Sequence, residues 1–360
     1  MKILILGDVS PTEMVKPLFA AGETETLFGN VKELFDAADF SFVNLECAIS
    51  DAEQGIQKFG PCLKAPLGTE KVLKELGASC CGLSNNHIFD FGRAGALQTI
   101  EALESQGILY TGFGKNLEEA RKDLIVEKNG ERIAIIAVCE HEYSYALEDR
   151  MGSRPYDPYD TMADIRKAKE TCDRVIVIYH GGKELFRYPS PRVLRLFRAM
   201  AENGADVVVG QHSHCIATYE NFGGAHLLHG QGNFHFVSKR EFEGWNECVA
   251  MIYDTVSGEV EWIPVVGKEN GVMKAEGEEK EKILRDFAAR SATLQDGTWK
   301  EGWHAHCVGE KERYFKAIAC ACNEDSTDRQ QQKFAHYLDC EAHTDVWREL
   351  FPTYNQYNEK

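Results

Sequence analysis

Five apolar runs in this sequence are each followed at once by residues able to hold a metal ion or move a proton. Lys2–Leu6 leads into Gly7 and Asp8, and Phe40–Val43 leads into Asn44, Leu45 and Glu46. Ala78–Leu83 precedes Ser84, Asn85, Asn86 and His87; Val175–Tyr179 precedes His180, Gly181 and Gly182; Asp206–Val209 precedes Gly210, Gln211, His212, Ser213 and His214. A carboxylate such as Asp8 after a strand either binds a cation or caps a turn. An imidazole ending a run as apolar as that before His180 needs a polar partner, and Gly181 and Gly182 would let backbone approach a ligand closely. His212 and His214 alternate by two, so in an extended segment both point the same way. Oxygen and imidazole donors together suit Zn, Mn, Fe and similar divalent ions.

The elements that must position these residues are legible in the same pattern. Up to about Gly267 short apolar runs alternate with helical stretches, as βα units do. Helices are expected at 31–38, 70–77, 95–106, 161–171 and 191–203, and Gly77, Gly107 and Gly204 fall where a helix C-terminus favours glycine. In an open α/β sheet, ligands gather beyond the carboxyl ends of the strands, which is where all five motifs lie. Strands at 225–228, 248–254 and 259–266, the last two joined through Ser257 and Gly258, point to an added antiparallel hairpin. The stretch 268–280 is charged and reads as a linker, and helices are expected at 281–292, 310–322 and 328–351. The expected domains are therefore 1–267 and a mostly helical appendage, 268–360.

At 360 residues, 43% hydrophobic and 27% charged, the chain has the composition of an ordinary globular protein. Its net charge of -17 argues against nucleic acid or an anionic membrane as partner, since both would repel it. No run approaches the ~20 apolar residues of a membrane span. Lys2 with a short apolar stretch ended by Gly7 and Asp8 does not read as a signal peptide. A cytoplasmic protein is expected, and its twelve scattered cysteines read as reduced thiols.

The motifs Gly7-Asp8, Asn44-Leu45-Glu46, Asn85-Asn86-His87 with Asp90 and Gly92, His180 with Gly182 and Glu184, Gly210 with His212 and His214, and Gly232-Asn233-Phe234 follow one another in this order. The series resembles the CapA/PgsA family of poly-γ-glutamate capsule synthesis proteins, itself similar in fold to calcineurin-like metallophosphoesterases. The resemblance covers about the first three-quarters of the chain. It implies an α/β fold: a four-layer α/β/β/α metallophosphoesterase-like sandwich, here with a C-terminal helical appendage. It also implies one or two divalent ions (Mn, Zn or Fe) held by Asp8, Glu46, Asn86, His180, His212 and His214. Glu46 stands where the superfamily has a metal-bridging Asp, and Glu184, which belongs to the CapA pattern, is a further ligand or a base. His87 stays off the metal and protonates the leaving group, with Asp90 orienting it. One departure from the wider superfamily is Ser10, which stands where an Asp-x-His motif would supply an imidazole.

The function expected is metal-dependent hydrolysis of a phosphoester or related bond in a small or polymeric anionic substrate, through a metal-bound hydroxide. Two other readings stand beside it: a non-hydrolytic accessory or binding protein in poly-γ-glutamate synthesis, and a γ-glutamyl amide hydrolase. Lys64 and Arg93 are weaker candidates for contacting an anionic substrate. The appendage is expected either to lid the site or to form a homodimer contact. Its His304, His306, Cys307, Cys320, Cys322, His336, Cys340 and His343 raise a second zinc site, but their spacings match no common finger. Core cysteines and scattered surface histidines are the preferred account.

Overall fold

Lys2–Val9, the strand that carries Asp8, runs through the middle of the larger of two sheets in the computed structural model, which describes residues 1–140, 142–239 and 242–351. On one side it pairs in parallel with Phe40–Leu45, followed by Cys80–Gly82 and Leu109–Thr111. On the other it pairs antiparallel with Glu247–Asp254, followed by Val260–Lys268 and Gly271–Lys274. The short strand Asn233–His235 joins beside Asp8 and Val9. The second sheet has a parallel centre, Glu131–Cys139, Arg174–His180, Val207–Gln211 and Ala225–Leu228. Antiparallel strands Leu124–Lys128 and Tyr219–Phe222 form its edges.

Alternation along the strands builds the layers. Ile3, Ile5, Phe42 and Cys80 face the second sheet and pack on Ile135, Ile176, Ile178 and Val209, whereas Leu4, Leu6, Val43 and Cys81 face outward onto Phe19, Val72, Leu76 and Leu103. The outer face of the second sheet, with Ile136, Val177 and Val208, is covered by Ile165, Val193, Phe197 and Met200. These come from the helices Pro158–Thr171 and Pro191–Glu202. Both helices start on a capping side chain followed by proline: Asp157 accepts from the amides of Tyr159 and Asp160, and Ser190 from Val193. The result is the expected four-layer α/β/β/α sandwich. Strands buried on both faces explain why Val175–Tyr179 is uniformly apolar.

Beyond Gly267 the chain departs from expectation in three places, one of them the helix expected at 310–322, which already begins at Trp299. Residues 268–280 are not a linker: Gly271–Lys274 adds an edge strand to the first sheet, and a helix begins at Gly277. That helix, Gly277–Asp296, drives Ile283 and Phe287 into the core between the sheets. A stretch rich in Lys, Glu and Gly hid a strand whose buried residues, Gly271 and Val272, are few. The last helical stretch is also broken. Asp328–Asp339 and Glu341–Leu350 are separate helices, divided at Cys340, whose backbone is extended. With Trp299–Ala321 they form a small core of Trp303, Tyr314, Tyr337 and Val346 that also takes in Leu194 of the main sandwich. Among the described residues none of the twelve cysteines is in a disulfide, and no helix is long and apolar enough to cross a membrane.

Candidate metal centre

The strand ends deliver the motif residues to one place between the two sheets. Asp8 lies opposite Asn44 in the first sheet, just past an irregularity in register at Gly7. A Cβ on Gly7 would sit 2.0 Å from the Gly232 carbonyl oxygen, so only glycine allows the strands to close at that point. His180 lies opposite Gln211 in the second sheet, so His212 follows directly beside it.

Asp8, Glu46 and His180 form one cluster of converging ligand atoms, and Glu46, His212 and His214 form another; within each, the atoms lie within 4.8 Å of one another. Glu46 belongs to both. Its Oε1 is 3.3 Å from His180 Nε2 and 3.9 Å from His212 Nδ1, and its Oε2 is 3.9 Å from His214 Nδ1. Asn86 Oδ1 is 2.9 Å from His180 Nε2, and Glu184 Oε1 is 3.7 Å from His212 Nε2. All six ligands expected from the sequence are therefore brought together, with Glu184 at their edge.

Asp8, Glu46 and His180 are 0% exposed. Neither oxygen of Glu46 has a well-formed hydrogen bond, although a buried carboxylate without one is costly. Burial alone would raise its pKa, but the imidazoles of His214 and His180 hold it well below the usual carboxylate range. Burial would likewise lower His214, yet Glu46 and Asp8 outweigh it and push the ring up to about 10. An imidazolium thus supplies the positive charge that the carboxylates require. Two buried carboxylates, an amide oxygen and three imidazoles converging on shared points fit divalent cations, which would supply that charge instead.

One feature of the loops was left open by the sequence and another was misread. His212 and His214 are not extended: their φ angles are 79° and 56°, in the left-handed region that costs a non-glycine residue energy. They reach Glu46 through a tight bend. Gly181 makes room for a side chain rather than a ligand, since a Cβ there would lie 2.4 Å from Glu140 Oε2. That oxygen accepts from the Gly182 amide at 2.6 Å and so shapes the loop after His180.

His87 stands apart from the clusters. Its Nδ1 is 2.6 Å from Asp90 Oδ2, and that same oxygen accepts from the Leu63 amide. Sequence reasoning missed Lys58, whose buried ammonium pairs with Asp90 and stands 3.2 Å from His87 Nδ1. It also missed two orienting amides. Asn44 Nδ2 donates to Asp8 Oδ1 at 2.7 Å and stands 3.1 Å from His180 Nδ1. Asn233 Oδ1 holds His214 Nδ1 at 2.9 Å. Both amides sat within quoted motifs, which was the available signal; Lys58, in an irregular stretch, carried none.

A cleft of about 490 Å³ opens onto Asn86, His87 and His212, with Lys183 on one wall and Arg313 and His336 of the C-terminal helices on the other. The appendage therefore roofs the site. Lys64 lines an adjoining pocket with Ser10, His87 and His214, but its ammonium is held by the Ala52 carbonyl and lies over the Phe91 ring. Arg93 is an exposed residue at the start of the helix Gly92–Ser105 and lines neither opening.

Comparison with known proteins adds kinship to this geometry. The family described as bacterial capsule synthesis protein PGA_cap matches residues 2–238. The capsule biosynthesis protein CapA of Bacillus anthracis is 28% identical over 254 residues, covering 68% of this chain and 61% of that protein. The PGA biosynthesis protein CapA of Bacillus subtilis is 28% identical over 249 residues, 67% of this chain and 63% of that protein. A probable polyglutamine synthesis accessory protein of Mycobacterium tuberculosis is 28% identical over 210 residues, 55% of each chain. The chain thus spans less than two-thirds of the length of each of these relatives.

Proposed function

The chain belongs to the family of bacterial capsule synthesis proteins named PGA_cap, and from that premise we propose a metal-dependent hydrolase acting on a phosphoester or related bond of an anionic substrate. The observation that carries this reading is the pair of ligand clusters sharing Glu46, with His87 and Asp90 beside them but outside them. Two Mn, Zn or Fe ions held there by Asp8, Glu46, Asn86, His180, His212 and His214 would polarise the scissile bond and lower the pKa of water.

The remaining work falls to side chains. Asn44 and Asn233 fix Asp8 and His214. Asp90 accepts the Nδ1 proton of His87, which leaves Nε2 to give a proton to the departing oxygen. Lys58 neutralises Asp90 and holds it in place. Lys183 and Arg313 on the cleft walls suit a substrate carrying several negative charges, and the overlying helices limit access of water.

A second reading is favoured by the names of the relatives, which speak of capsule or polyglutamine synthesis and, in one case, of an accessory protein. Under it the cleft binds a γ-linked glutamate polymer without cleaving it, or cleaves its amide bonds. Both readings are tested by metal analysis of the purified protein and its His212→Ala variant, followed by assays on phosphoesters and γ-glutamyl amides. Bound transition metal that is lost in the variant, with turnover of either substrate class that is lost in His87→Gln, supports a hydrolase. Retained polymer binding without turnover supports the accessory role. A protein that takes up no Mn, Zn or Fe overturns the metal centre.

A further inference from the structure

The C-terminal helices hold a second group of side chains of metal-ligating type, outside the stretch matched by the family. His336, Cys340 and His343 converge so that one ligand atom from each lies within 4.8 Å of the others. The spacing explains how. His336 and Cys340, four residues apart, share a face of the helix Asp328–Asp339 and its end. Cys340 is also the residue at which that helix stops and Glu341–Leu350 begins, with φ -75° and ψ 124°. His343 follows three residues later on the first turn of the new helix. A corner between two helices thus gathers ligands that one straight helix would spread along its side.

The surroundings hold these rings in place. The His343 Nδ1 is bonded to the Tyr314 hydroxyl, and its ring packs 4.3 Å from Tyr337. His336 lies between Phe59 and Tyr143, with centroids 5.6 and 5.8 Å away. Cys340 is 1% exposed and His343 9%. A ligating imidazole usually has its other nitrogen held by a polar partner, and Tyr314 is so placed for His343. All three residues also line the cleft of the first centre.

We propose that His336, Cys340 and His343 bind a zinc-class ion at the roof of the cleft. Thiolate with two imidazoles selects zinc or cobalt over magnesium or calcium, and three protein ligands leave a fourth position for water or an anionic group from the cleft. Binding releases the Cys340 thiol proton and ties the two last helices together at their corner. The site stands whether or not the first centre is catalytic.

Cobalt(II) titration of the metal-free 360-residue chain tests it, because a thiolate-to-cobalt charge-transfer band reports this site and not the first, whose candidate ligands include no cysteine. The band is expected in the wild-type protein, in His212→Ala and in Cys322→Ser, whose thiol is exposed. It should vanish in Cys340→Ser and weaken in His336→Asn, and zinc content should fall by about one equivalent in Cys340→Ser. Circular dichroism checks that each variant is folded; His336→Asn keeps the test open should Cys340→Ser not be. No band in the wild-type protein at saturating cobalt, or an unchanged band in folded Cys340→Ser or His336→Asn, overturns the proposal. A band in His212→Ala alongside loss of the other ions shows the two centres to be separate.

Discussion

At the scale of single residues, the candidate centre depends on partners as much as on ligands. Asp8 and His180 are held by one amide, Asn44, and His87 by the Asp90 carboxylate, which Lys58 also holds. On the hydrolytic reading, His87→Gln in metal-loaded protein should lower kcat by about 10²- to 10⁴-fold, with metal content unchanged by mass spectrometry. Lys58→Met leaves Asp90 buried with one partner fewer. It should change the pH profile of kcat more than KM, whereas a purely structural Lys58 would lower stability and leave that profile in place. The convergence of the candidate ligands was readable from sequence because each motif follows an apolar run. Lys58 was not, because nothing in an irregular stretch says which loop it will lie under.

At the scale of elements, one buried network fastens the C-terminal helices to the loop that carries the site. Arg192, on the helix that follows that loop, pairs with Glu140, which shapes the turn at Gly182, and with Asp345 of the last helix at 2.9 Å. Asp345 also accepts from Ser190 at 2.6 Å. Breaking a largely buried ion pair from one side costs about 3 to 5 kcal/mol. Asp345→Ala should therefore lower unfolding free energy by a few kcal/mol in chemical denaturation and speed amide exchange in the last two helices. Unchanged exchange there would mean that the apolar contacts around Trp303 and Tyr314 hold the roof alone. The motif-bearing strands and the helices Thr69–Leu76, Gly92–Ser105, Pro158–Thr171 and Pro191–Glu202 were legible because period and glycine punctuation agree, whereas the short helix Lys16–Ala21 and the edge strands Leu124–Lys128 and Tyr219–Phe222 were not. Gly271–Lys274 was not, since four residues on a sheet edge give too little pattern, and the break at Cys340 has neither glycine nor proline to mark it.

At the scale of the whole molecule, two buried histidines outside the centre set a pH limit. Burial pushes His229 down to about 3 and His235 to about 4, whereas an unfolded histidine titrates near 6.5. Between those values the unfolded chain binds more protons than the folded one. Stability present above pH 6.5 should thus be lost as pH falls toward 4, by a few kcal/mol in all. Denaturation midpoints at pH 7 and pH 5 measure it, and equal midpoints would mean that these rings are protonated in the fold. The sequence by itself determined the layers and the strand ends, and marked the candidate ligands there, because buried parallel strands need continuous apolar runs and polar residues follow where they emerge. Tertiary structure alone decided that the histidine pair turns through left-handed backbone and that the last helices roof the cleft. Those depend on how two sheets and a terminal helix cluster meet, and contacts between residues hundreds of positions apart leave no local period to read.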